Sequence, residues 1–134
     1  MTSRMAGADP ATAGALTVTA LSSHPAGVLV VRVAGEVDLA TLGQLREQLH
    51  RHLPGSHRGV VLDFTGVSFL AACGIGLLLG LAEQAHSQGM KLCLVANGRA
   101  VLRALEATGV EGLVPHAATV AEAVAQCSAY SPPG

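Results

Sequence analysis

Residues Gly59-Val-Val-Leu-Asp-Phe64 form a short β-prone run, and Thr65-Gly-Val-Ser-Phe-Leu-Ala-Ala-Cys-Gly-Ile-Gly-Leu-Leu-Leu79 follows it directly. The first stretch predicts a strand. The second predicts a turn of small residues that opens a helix. A strand feeding a helix in this way leaves free N–H groups and a partial positive charge at the helix N-terminus. Such a corner is a binding feature, and it commits the chain to alternating strands and helices.

The rest of the chain supplies that alternation. Leu16-Thr-Val-Thr-Ala-Leu21 alternates apolar and polar residues, as a half-buried strand does, and Ser22-Ser-His-Pro-Ala-Gly27 is a turn cluster. Val28-Leu-Val-Val-Arg-Val33 suits a more buried strand. Thr41 and Gln44 have capping-box spacing, and Leu42, Leu45 and Leu49 predict a helix over 42–53 that ends at Pro54 and Gly55. After the strand at 59–64, a helix over 74–88 carries Ile75, Leu78, Leu79 and Ala82 on one stripe, with Gly89 just past its end.

Lys91-Leu-Cys-Leu-Val-Ala96 predicts another strand. Asn97 is placed to cap a helix over 98–108, with Val101, Leu102 and Leu105 inward and Gly109 at its C-terminus. Leu113-Val114 suggests a short last strand, and Thr119 with Glu122 forms a capping box for a helix reaching about residue 128. The order β-β-α-β-α-β-α-β-α calls for an α/β fold with right-handed crossovers and a mostly parallel sheet. The first strand, joined by a short turn, is antiparallel. Residues 1–14 read as a disordered tail, 15–128 as one domain, and 129–134 as a loose end.

Composition removes several function classes. Net charge is −1 with no basic stripe, so nucleic-acid binding lacks its electrostatic footprint. The longest apolar run, Ile75–Ala82, is broken by glycines and falls far short of the ~20 residues needed to span a membrane. No signal peptide is evident in residues 1–15, so a soluble cytoplasmic protein is expected. Cys73, Cys93 and Cys127 are too few and too scattered for a disulfide framework or a zinc site. The six histidines are dispersed, and no nucleophile–base or metal constellation argues for an enzyme or a cofactor.

Three stretches carry a family resemblance. They are Gly35-Glu36-Val37-Asp38, the corner Phe69-Leu70-Ala71-Ala72-Cys73-Gly74-Ile75-Gly76, and Leu105-Glu-Ala-Thr108-Gly109-Val110. In this order, at these element boundaries, the chain resembles STAS-domain anti-sigma factor antagonists over about residues 16–128. The resemblance implies a singly wound mixed sheet with about four helices.

It also implies a partner, an anti-sigma factor of the histidine-kinase-like ATPase fold, whose capture frees a sigma factor. The implied contact surface is Glu36, Asp38, Leu70, Ala71, Ala72, Cys73, Gly74, Ile75, Gly76, Leu77 and Leu81. In the family the corner reads Phe-x-Asp-Ser-Ser-Gly-x-Gly, with the first serine phosphorylated as an off switch. Here the Asp and the two serines are replaced by Ala71, Ala72 and Cys73, so the frame is kept and the phospho-acceptor is lost.

Several residues admit two readings. Gly74, Gly76 and Gly80 have G-x-G-x-x-x-G spacing rather than the dinucleotide G-x-G-x-x-G, which favours a tight turn and close packing over nucleotide binding. Cys73, next to a helix N-terminus, is either a redox sensor or a serine-sized filler. Cys93 and Cys73 should lie toward opposite ends of the sheet, and Cys127 has no readable partner. Asp38 is either a residue beside the partner surface or a local turn acceptor. Leu77 and Leu81 lie off the core stripe and are either doubly buried or partner-facing. Besides the antagonist, two other functions fit: a regulator acting through Cys73, and a STAS subunit of a stress-signalling or lipid-transport assembly. A weak homodimer is compatible with all three readings.

Overall fold

A computed structural model describes residues 16–24, 27–53, 55 and 57–130. The expected tail at 1–14, the end at 131–134 and part of the 22–27 turn cluster lie outside the described residues. Among the described residues, five strands and four helices follow one another in the order β1 (Thr17–His24), β2 (Val28–Val37), α1 (Leu42–His52), β3 (Gly59–Leu70), α2 (Ala72–Ser87), β4 (Lys91–Val95), α3 (Arg99–Thr108), β5 (His116–Ala117) and α4 (Val120–Ala129). The sheet order is β1-β2-β3-β4-β5. β1 is antiparallel to β2, and every other pairing is parallel. This is the singly wound mixed sheet with four helices expected above.

Each strand of the central sheet presents alternate residues to two cores. On one side Leu29, Val31, Val33, Val60, Leu62, Phe64, Leu92 and Leu94 pack with α1, α2 and α3. On the other, Val28, Val30, Val61, Cys93 and Val95 pack with Ala123, Val124 and Cys127 of α4. Burial on both faces is why these strands read as continuous apolar runs. No helix among the described residues is long and apolar enough to cross a membrane.

The differences from the sequence reading are local, and each has a cause. Residues 65–70 are strand rather than turn. β2 and β3 fall out of register between Arg32 and Ala34 and again between Gly35 and Glu36. At both steps β3 carries an extra residue, so its burial beyond Phe64 runs at intervals of three (Val67, Leu70) instead of two. Gly66 fits there because a Cβ would lie 2.9 Å from the Ala34 Cβ.

β2 likewise runs on to Val37, through Gly35 at φ 115°. The last strand is His116–Ala117, because Leu113 and Val114 lie in the turn that precedes it. The Thr41–Gln44 capping box does not form: the Gln44 amide donates to the Leu16 carbonyl (3.1 Å). Asn97 does not cap α3, whose N-cap is Gly98; its amide donates to the Ala118 carbonyl (3.3 Å). Leu102 faces out at 40% exposure. The caps at Thr119 and Gly109 form as expected, the Thr119 hydroxyl accepting from the Glu122 N–H and Gly109 adopting φ 69°.

Candidate functional site

The carboxyl ends of β2 and β3 build the corner together. Glu36 pairs with Phe69 and Val37 with Leu70. The chain leaves β3 through Ala71, which is extended (φ −80°, ψ 163°) and forms the N-cap of α2. The Ala71 N–H donates to the Val37 carbonyl (2.8 Å), tying the start of α2 to the end of β2. The Ala71 carbonyl accepts from the Gly74 N–H (2.9 Å) and the Ile75 N–H (3.3 Å). Ala71 has no side chain that could cap, and no acidic residue stands in the first turn. The N-terminal N–H groups and partial positive charge of α2 therefore meet no side-chain acceptor from these positions.

Gly74 explains the tightness of this corner. A Cβ on it would lie 2.6 Å from Leu70 Cδ1 and 2.7 Å from Val37 Cγ1. Gly76 and Gly80 have no neighbour within 4 Å of a Cβ, so the close packing expected of them is absent.

The turn after β2 is held by two side chains. Asp38 Oδ1 accepts from the N–H groups of Ala40 (2.9 Å) and Thr41 (3.1 Å). The Thr41 hydroxyl donates to the Glu36 carbonyl (2.7 Å) and accepts from the Asp38 N–H (3.1 Å). Asp38 is thus a turn acceptor, positioned beside the corner. The turn thrusts Leu39 into solvent, at 81% exposure. Phe69, on the neighbouring strand end, is 50% exposed.

The anticipated contact residues divide by burial. Glu36, Ala72 and Gly76 are exposed, while Asp38, Ala71, Cys73 and Leu77 are half-buried. Leu70, Gly74, Ile75 and Leu81 are buried. Leu70, Gly74 and Ile75 are buried at the corner itself, and Leu81 is buried more than two turns along α2. The buried stripe of α2 is Gly74, Ile75, Leu78, Leu81 and Ala85, displaced from the expected 75-78-79-82, with Leu79 and Ala82 only partly buried at its margin. Leu39 was not singled out in the sequence. Its signal was an apolar side chain inside a four-residue turn, which the described residues leave uncovered.

The cysteines separate by face. Cys73 is half-buried on the first turn of α2. Cys93 and Cys127 lie together in the core under α4. Burial pushes the Cys93 thiol up to about 11, reinforced by Cys127 and opposed by Lys91. Burial pushes Cys127 up to about 11 as well, against Lys91. Cys127 therefore has a neighbour after all, invisible in sequence because 34 positions separate it from Cys93 (127 − 93).

The STAS domain profile matches residues 19–123. The chain belongs to the STAS domain family. Its relatives include the anti-sigma-F factor antagonist RsfB of Mycobacterium tuberculosis (strain CDC 1551 / Oshkosh), 29% identical over 96 residues, covering 72% of this chain and 76% of RsfB. The anti-sigma F factor antagonist of Paenibacillus polymyxa is 27% identical over 93 residues, covering 69% of this chain and 80% of that protein. The crystal structure of an anti-sigma factor antagonist from Mycobacterium paratuberculosis superposes with a TM-score of 0.77 at 27% identity, over 85% of this chain and 95% of that one. In this STAS domain the corner, the Asp38 turn and the α2 N-terminus form one continuous edge at the carboxyl ends of the strands.

Proposed function

We propose that this STAS protein is an anti-sigma factor antagonist without the usual serine switch. In this reading it captures an anti-sigma factor of the histidine-kinase-like ATPase fold and so releases a sigma factor. The names of its relatives support the general role. The observation that carries the site is the pair Leu39 and Phe69. Both are large, apolar and exposed beside an α2 N-terminus whose N-cap, Ala71, makes no side-chain cap hydrogen bond. Apolar anchors on a rigid, hydrogen-bonded frame are what a protein-binding surface needs.

The surface then comprises Glu36, Leu39, Phe69, Ala72 and Gly76, flanked by the half-buried Asp38, Ala71, Cys73 and Leu77. Ala72 stands at the family's phospho-acceptor position, on the exposed first residue of α2. A phosphate there would add about −1.5 to −2 charge to the interface. A methyl group cannot, so capture of the partner is not reversed by phosphorylation at this position.

Titration calorimetry against purified anti-sigma factors of the ATPase fold tests this. The expectation is a 1:1 complex that loses at least tenfold in affinity in Leu39→Ala/Phe69→Ala. Absence of binding to any such factor, or full affinity in the double variant, contradicts the reading.

A further inference from the structure

β1 is the outer strand of the sheet and pairs only with β2 among the described residues. An outer strand turns alternate N–H and C=O groups away from its neighbour, and these form a template for another strand. Natural sheets blunt such edges by shortness, lysine, proline or a bulge. The opposite edge is blunted in this way, since β5 has two residues, His116–Ala117.

β1 has eight residues and none of these devices over most of its length. No Asp, Glu, Lys or Arg occurs between Asp9 and Arg32, and no proline falls within Thr17–His24. Its register with β2 is regular from Thr17↔Ala34 to Leu21↔Val30 and shifts only beyond Leu21. Thr17, Thr19 and Leu21 are exposed on one face, while Val18 packs partly against the core on the other.

We propose that β1 pairs with β1 of a second copy of this chain, antiparallel about a two-fold axis at Thr19, so that two sheets become one. The strand is self-complementary in that register. Thr19 faces its own equivalent, and Thr17 faces Leu21 of the second copy. Thr–Thr pairs across strands are favourable, and no like charges are opposed. A two-fold pairing also closes on itself. Pairing of β1 with β5 would be head-to-tail and would engage only two residues of β5. A ladder of about five residues buries less than the ~1,200 Å² of a stable interface, so dissociation constants of about 10–1,000 μM are expected. The dimer does not depend on the corner or on any anti-sigma factor.

Sedimentation velocity from about 10 μM to about 1 mM tests the proposal, together with hydrogen exchange at both limits. The wild type is expected to shift from monomer to dimer, with amides 17–21 exchanging more slowly at the higher concentration. Thr19→Lys and Thr19→Glu are both expected to stay monomeric, and Thr19→Val to dimerise. Thr19 stands opposite Arg32 within its own sheet. Lysine is repelled there and glutamate attracted, so loss of the dimer in both variants reports the pair across the axis and not damage to the fold. A wild type that remains monomeric at the higher concentration overturns the proposal, whether the edge is bare or occupied by residues 1–15. So does a dimer that survives both charged variants, or one that leaves exchange in β1 unchanged.

Discussion

The Ala71 N–H donates to the Val37 carbonyl at 2.8 Å, and this bond fixes the start of α2 against the end of β2. It brings the Asp38 turn and the first turn of α2 side by side. Every proposed contact of the corner depends on that alignment.

Gly74 sets how closely the two can approach. Gly74→Ala forces a Cβ to within 2.7 Å of Leu70 and Val37 side chains. A loss of about 1–3 kcal/mol is expected from such overpacking. Gly76→Ala meets nothing within 4 Å and should gain about 0.5–1 kcal/mol from helix propensity. Urea denaturation of the two variants should move the midpoint in opposite directions. Equal shifts would contradict the packing described for Gly74.

Thr41 is buried, and its hydroxyl closes the turn after β2. Thr41→Val keeps the shape and leaves the Glu36 carbonyl and the Asp38 N–H without this partner. The expected cost is about 1–3 kcal/mol. Because the turn carries Leu39, affinity for the anti-sigma factor should fall as well, whereas exposed Glu47→Ala on the helix that follows should change stability by less than about 0.5 kcal/mol.

The thiols should separate by reactivity and by pH. Cys93 and Cys127 are fully buried with pKa values near 11, so at pH 8 a small alkylating agent should label Cys73 first by a wide margin. The folded state holds both buried thiols protonated beyond the ordinary value of 9.0. Their contribution to stability is therefore complete below about pH 9 and is lost as pH rises toward 11. The denaturation midpoint should fall across that window. A midpoint that rises there, or labelling of Cys93 as fast as Cys73, would show that the core under α4 is open.

Much of the fold was legible because burial on both faces writes β-branched runs, and α-helical stripes end at glycines such as Gly89 and Gly109. The corner was legible from its small residues and its position after a strand. What was not legible required the third dimension. The β3 bulges disguise residues 65–70 as a turn. The Gln44 and Asn97 amides take distant carbonyls instead of capping their own helices. Leu81 faces the core because α2 is rotated by about one residue from the stripe its sequence suggests. Exposure of Leu39 and Phe69 depends on which neighbours a turn leaves uncovered, and no local pattern encodes that.

Hydroxyls near the corner should not substitute for the missing serine. The Thr65 hydroxyl donates to Asp63 Oδ1 (2.7 Å), five residues back along the strand from Leu70. The Ser68 hydroxyl donates to the Gly35 carbonyl (3.3 Å). After incubation with the anti-sigma factor and ATP, mass spectrometry should find residues 65–76 unmodified. Phosphate on Thr65 or Ser68 would place the switch elsewhere on β3.

The most direct measurement is the affinity of Ala72→Asp for the anti-sigma factor, compared with Ala72→Ser. Ala72 is the exposed first residue of α2, so neither change disturbs the core. A carboxylate buried unpaired at an interface costs several kcal/mol, more than the about 0.3–1 kcal/mol returned by a helix N-terminus. Ala72→Asp should weaken binding at least tenfold, and Ala72→Ser should bind as the wild type does. Wild-type affinity in Ala72→Asp would place the corner outside the interface and contradict the account.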